Sequence, residues 1–145
     1  MIEIKNNNSA VSDIEAHLMM VSDSFVPNLS SYVDIKQYAV KLFEKAQRIE
    51  VWEDNRLVGL LAYYQNFNNM SAFITNVSIE KGFMGGGLAT EMINKMIDAI
   101  RGTVGVIRLE VKKDNKRALC FYMKNGFVES EIKENGSLVM VRELV

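Results

Sequence analysis

The residues of this chain with the types and spacing to do chemistry begin at Gly85-Gly86-Gly87, between a β-rich segment and an amphipathic stretch that opens at Leu88. No Ser, Thr, Asp or Asn directly precedes Leu88, so no side chain is placed to accept from the first-turn amides and those donors stay open. Free amides, the positive end of a helix dipole and missing Cβ atoms together suit an anion such as a pyrophosphate. A flexible loop entering a helix is the commoner meaning of clustered glycines, and the run by itself leaves both readings standing.

Two phosphate motifs compete for the same residues. Gly82 and Gly87 have the GxxxxG spacing of a P-loop, but Leu88 and Ala89 stand where that loop requires Lys and Ser or Thr. Gly85 to Thr90 also fits a GxGxxG dinucleotide fingerprint with Thr90 in the third slot, and Glu110 then stands as a ribose acceptor. Against that reading, five residues separate the strand end at Ile79 from Gly85, and only one half of a dinucleotide-binding unit is present.

A second chemically informative block runs from Val106 to Phe127. Asn115, Ala118, Leu119 and Tyr122 are spaced to share one helix face, with a small alanine one turn before a phenol. A thin ligand fits over Ala118 and ends at Tyr122. Taken alone, Phe121 and Tyr122 read equally well as core residues, with Gly126 as a left-handed C-cap and Phe127 as its apolar contact. Cys120, two residues from Tyr122, points away from that face and reads as a packing thiol, and His17 is assigned no catalytic role.

The elements that must position these residues follow from size and period. A chain of 145 residues with 48% hydrophobic content supports one core, so residues 1–145 are read as a single domain. Seventeen basic and eighteen acidic residues give a net charge of −1, which offers nucleic acid or an anionic membrane no general attraction. The single cysteine and single histidine exclude an intrachain disulfide and a zinc or iron site of known spacing, so no metal is expected. The opening MIEIKNNNSA turns polar too soon for a signal peptide or a membrane span, and a cytoplasmic location is expected.

Periodicity predicts a strand over 1–5 and a helix carrying Val11, Ile14, Leu18 and Phe25 before a break near Pro27. A second amphipathic helix carries Ile35, Tyr38, Ala39, Leu42, Phe43 and Ala46. Strands follow over 48–53, 57–65 and 71–79, then a helix over 88–101, a strand over 106–111, a helix over 115–125 and strands over 127–133 and 138–144. The resulting order βααβββαβαββ implies a mixed sheet with helices.

Together the two blocks resemble the GNAT superfamily of N-acetyltransferases over 57–127. The first is similar to that family's strand end, connector and RxxGxG or QxxGxA, with Ile79 at the strand end and Gly87-Leu88-Ala89 as the GxA. The second matches LxVxxxNxxAxxxYxxxGF at Leu109, Val111, Asn115, Ala118, Tyr122, Gly126 and Phe127. Met84 departs from the Arg or Gln expected in its slot, and Lys81 replaces a common proline.

The resemblance implies an α/β fold of mixed α+β type, with a twisted, largely antiparallel sheet, a splayed central parallel pair (71–79 and 106–111) and four flanking helices. It implies acetyl-CoA as co-substrate, with its pyrophosphate on the amides around Met84, Gly85, Gly86, Gly87, Leu88, Ala89 and Thr90. Its pantetheine arm would lie along Val77 and Ile79, and Asn115, Ala118 and Tyr122 would line the far side. Tyr122 would act on the leaving thiolate as acid or hydrogen-bond donor in a direct attack by the amine. Asn76 and Glu110, with Ser78, are candidate contacts to the acceptor or a water.

The acceptor is expected to be a small-molecule amine or a peptide or protein amine, in a pocket formed by the N-terminal helices and the 63–67 turn. A homodimer is the candidate assembly. The other readings are a non-catalytic acyl-CoA sensor and a dinucleotide-binding half-domain.

Overall fold

The computed structural model describes residues 1–25 and 27–144. These form, in order, β1 (Ile2–Asn6), α1 (Val11–Val21), α2 (Ile35–Lys45), β2 (Gln47–Glu53), β3 (Arg56–Asn66), β4 (Ser71–Ile79), α3 (Leu88–Ile100), β5 (Val106–Lys112), α4 (Lys116–Lys124), β6 (Val128–Ile132) and β7 (Ser137–Glu143). The strands make one sheet in the order β1-β2-β3-β4-β5-β7-β6, antiparallel throughout except for the central β4–β5 pair. No helix among the described residues is long and apolar enough to cross a membrane.

Each sheet face has its own apolar cluster. Ile14, Leu18, Ala39 and Leu42 of α1 and α2 meet Leu60 and Ala62 of β3 on one face. On the other, Met92, Ile93, Met96 and Ile97 of α3 meet Val51, Leu61, Ile74, Ile107 and Leu109, and α4 packs here through Leu119 and Phe121. This two-sided arrangement explains why β3 is buried along nearly its whole length and reads in sequence as a continuous apolar run.

Local chemistry sets the helix ends. Asp34 caps α2 by accepting from the Gln37 N–H at 3.0 Å. At the other end the buried Arg48 guanidinium donates to the Leu42 and Phe43 carbonyls, each at 3.2 Å, which satisfies groups the helix leaves open. Arg48 also pairs with buried Glu50 at 3.2 Å, and Glu50 accepts from the Asn8 and Ser9 amides and the Trp52 indole. Fully hydrogen-bonded on all sides, this ion pair ties the segment before α1 to the sheet without leaving a bare buried charge.

The first helix is shorter than its periodicity predicts. It ends at Val21, and Phe25 lies beyond a short 3₁₀ turn over Ser22–Ser24. Ser22 turns its hydroxyl to the Ser30 amide at 3.0 Å, one of the local bonds by which serines compete with helix continuation.

Candidate active site

The β4–β5 pair is the structural origin of the site. The two strands are in register only from Ser71–Val106 to Ile74–Leu109, so the rest of β4 and the end of β5 are not paired with each other. On its other side β4 keeps pairing with β3, with a register shift at Ala62/Tyr63 that leaves Thr75 as the extra residue. The bulge therefore sits where β5 departs, and the sheet opens beside it. Past that point the β5-facing backbone of β4 has no strand partner, a situation an extended amide-bearing ligand resolves.

The bulge also assigns the side chains of β4 to faces. Val77 pairs with Leu61 and Ile79 with Gly59, so both lie on the α3 face, where Val77 is half-buried and Ile79 is 7% exposed. Asn76 pairs with Ala62 and Ser78 with Leu60, so these two polar residues turn to the α1–α2 face. Buried Glu80 then holds the connector: it takes both contacts of the Arg56 guanidinium, at 2.5 and 2.7 Å, and its amide donates to the Val58 carbonyl at 2.9 Å.

Beyond that anchor the chain reaches the glycines. Gly85 and Gly87 have φ of +86° and +82°, a backbone region open to glycine at little cost. Gly86 has neither a positive φ nor an atom within 4 Å of where its Cβ would stand, so the fold itself does not require a glycine there. The first bond of α3 runs from the Glu91 N–H to the Gly87 carbonyl at 3.0 Å, and no side chain caps Gly87. The amides of Leu88, Ala89 and Thr90 are consequently open donors at a dipole's positive end, and Gly85 to Gly87 are exposed beside them. This set fits a diphosphate.

Met84 brings an unforeseen neighbour. Its sulfur lies 3.2 Å from Nη2 of Arg117, so α4 places a guanidinium at the glycine loop. The cation absent from the Met84 slot is thus present in space, from a different element. Sequence order alone hides it, although its place two residues after the helix cap Asn115 puts it on the first turn of α4.

On α4, Asn115 is the N-cap, accepting from the Ala118 amide at 3.2 Å. Ala118 and Tyr122 are half-buried and pack against the same apolar cluster as Val77, Met84, Leu88 and Ala89, so the structure gathers these sequence candidates around one core. Tyr122 stands edge-on to Phe121 and Phe127, with ring centroids at 5.2 and 5.7 Å. Burial pushes its phenol well above the ordinary tyrosine range. Gly126, with φ +86°, closes the helix as expected, and the buried Phe127 donates its N–H to the Tyr122 carbonyl at 3.0 Å.

Two expectations change. Glu110 is held at the surface by Lys133, Nζ to Oε2 at 2.9 Å, because the β6–β7 turn crosses its side of β5; it is not gathered with Asn76. Cys120 is exposed rather than packed, since the face opposite Tyr122 borders an open groove with Lys116, Arg117 and Lys124.

Ser78 instead meets His17, whose Nε2 lies 2.8 Å from the serine oxygen. Burial pushes this imidazole down to about 4, partly offset by the Leu57 carbonyl. Tyr38 of α2 reaches Thr75 at the bulge, 2.9 Å to its hydroxyl and 3.1 Å to its carbonyl. The contacts of Thr75, Tyr38 and His17 were not expected from the sequence, where Tyr38 stood only on an amphipathic helix and His17 had no role assigned, yet a signal for the bulge existed. The apolar parity of β4 runs Ala72, Ile74, then Val77, Ile79, and such a switch marks a bulge.

Among curated proteins no sequence relative matches. Solved structures do. The ribosomal-protein-S18-alanine N-acetyltransferase of Escherichia coli superposes with a TM-score of 0.76 at 16% identity, over 99% of this chain and 94% of that one. The PaiA N-acetyltransferase of Thermoplasma acidophilum, solved in complex with coenzyme A, gives 0.78 at 16% identity over 99% of both chains. A GNAT-family acetyltransferase from Staphylococcus aureus Mu50 gives 0.79 at 15% identity over the whole of both. These likenesses establish the fold, and the profile of the acetyltransferase (GNAT) family matches residues 18–127, so the chain belongs to the GNAT acetyltransferase family.

Proposed function

We propose that the protein is a single-domain enzyme that moves an acetyl group from acetyl-CoA to a primary amine by direct attack in a ternary complex. The observation that carries this reading is the coincidence of the β4–β5 opening with the uncapped start of α3. One feature suits an extended amide chain and the other a diphosphate. Acetyl-CoA supplies an activated thioester when bound. The relative solved with coenzyme A supports that co-substrate.

In this reading the amides of Gly85 to Thr90 hold the diphosphate, with Arg117 adding charge, and the backbone near Val77 and Ile79 aligns the arm. Ala118 leaves room beside it. The two faces of β4 keep donor and acceptor apart until they meet at the bulge, and holding both together is itself a large part of the acceleration.

Tyr122 stabilises the leaving thiolate by a hydrogen bond. An ordinary phenol titrates near ~10 and a thiol near ~8.5. Burial widens that gap, so complete proton transfer from Tyr122 is uphill. The amine loses its proton to solvent or arrives neutral, and Glu110, paired with Lys133, is not required.

A thiol-release screen of amines with acetyl-CoA tests the reading. Release dependent on a particular amine, with the acetylated product seen by mass spectrometry, is expected. Binding of acetyl-CoA with slow hydrolysis only, across a broad amine panel, would indicate a sensor instead.

A further inference from the structure

A buried polar chain on the acceptor face of β4 ends without a partner. Ser78 donates its hydroxyl proton to Asn76 Oδ1 at 2.8 Å. A hydroxyl has one proton, so with that proton on Asn76 the imidazole Nε2–H is the donor at the 2.8 Å contact with His17, and its bare Nδ1 is buried without a hydrogen-bond partner. The chain from α1 thereby fixes the Asn76 amide, its oxygen toward Ser78 and its NH₂ group away.

That NH₂ group is buried and makes no hydrogen bond, in a residue only 3% exposed. The neighbour of Asn76 in the strand is Thr75, the extra residue of the bulge, whose hydroxyl and carbonyl engage the Tyr38 phenol. The Tyr64 hydroxyl, on the α1–α2 face of the sheet, is also buried without a partner. The Asn76 amide, beside the bulge where the sheet opens, is thus a buried donor without an acceptor. The side chains that meet there are neutral, and Lys41 stands outside them over the Tyr64 ring at 5.5 Å.

We propose that Asn76 selects the acceptor: its free amide N–H donates to a neutral carbonyl or hydroxyl oxygen beside the reacting amine, with His17 acting through Ser78 as a positioning residue. The inference rests on the acetyltransferase reading and names its substrate class, an amine carrying such an oxygen. A site built to bond that oxygen disfavours the analogue lacking it, because the buried donor then stays unpaired.

The test compares L-alaninamide with isopropylamine, which lacks the carbonyl, at saturating acetyl-CoA. Wild-type protein is expected to prefer alaninamide in kcat/KM by about tenfold or more. Asn76→Asp keeps the oxygen that accepts from Ser78 but removes the donor, and should collapse that ratio. Asn76→Ala serves the same purpose if the aspartate does not fold. His17→Leu should raise the alaninamide KM roughly three- to tenfold with kcat and acetyl-CoA affinity held, while His17→Gln, whose amide can still donate, should rescue it.

An unchanged ratio in folded Asn76 variants would overturn the proposal, as would wild-type turnover confined to amines without such an oxygen. If His17→Leu lowers stability and acetyl-CoA affinity but not acceptor KM, His17 has no positioning role. Thiol release that no amine in the panel accelerates removes the acetyltransferase reading as well, whereas active wild-type protein with insensitive variants removes this inference alone.

Discussion

On one face of β4 beyond the bulge, Val77 and Ile79 join the apolar cluster under α3, while on the other, Asn76 and Ser78 carry a buried polar chain to His17. The glycine loop that continues from this strand is exposed and offers open main-chain amides, which need only φ values and an absent cap. The opposite face needs particular side chains, linked to one another from His17 through Ser78 to Asn76, whose amide N–H is left without a partner. The comparison teaches that one region offers backbone groups, which do not depend on side-chain identity at positions such as Met84, and that the other offers side chains whose bonds do; under the proposed function the first meets the cofactor and the second the acceptor.

The largest effect expected from this division is on the side-chain face. His17 is held near 4 in the folded protein against about 6.5 when unfolded, so its burial favours folding fully above about 6.5. That contribution falls as the pH drops between those values, because the unfolded chain then takes up a proton the folded ring refuses. The gap corresponds to about 3 kcal/mol lost by pH 4. Urea titrations from pH 7 to 4 should show this decline, and His17→Gln should flatten it. An unaltered slope would mean that other groups govern acid stability.

Tyr122→Phe comes next. Losing a hydrogen bond to a developing charge, roughly 1.5–3 kcal/mol, should lower kcat on the order of ten- to a hundredfold. Acetyl-CoA affinity should be nearly unchanged in calorimetry. Full activity in a folded variant would return Tyr122 to a packing role with Phe121 and Phe127.

Gly86→Ala sharpens the backbone side of the comparison. Since no neighbour and no positive φ demands glycine there, the melting temperature should hold. The new Cβ should instead obstruct the ligand and weaken acetyl-CoA by about tenfold, or about 1.4 kcal/mol. Equal losses of stability and affinity would contradict the reading. Smallest of all, Arg117→Ala should weaken coenzyme A by roughly three- to fivefold and reduce the salt dependence of binding, as fits an exposed cation. Unaltered salt dependence would leave Met84 as its only partner.

Much of this was legible in the sequence. The element order followed from period and turn residues, and β4 from Ser71 to Ile79 has the bounds its alternation predicts. Gly85 to Thr90 and the Asn115, Ala118, Tyr122 face were visible because a helix start and a helix face are local objects, fixed by spacing along the chain. By itself, then, the sequence determined the elements, the uncapped start of α3 and the residue types along both faces of β4.

Tertiary structure alone decided which of them meet. Arg117 beside Met84, Tyr38 on Thr75 and His17 on Ser78 bridge 33, 37 and 61 positions of chain, distances over which no periodicity carries information. Glu110 was placed by the same kind of contact, captured by Lys133 from a neighbouring turn. The physical reason is that helix and strand patterns encode which face is buried, whereas the partner of a buried polar group is fixed by how whole elements dock, and that docking is settled by the two apolar clusters together.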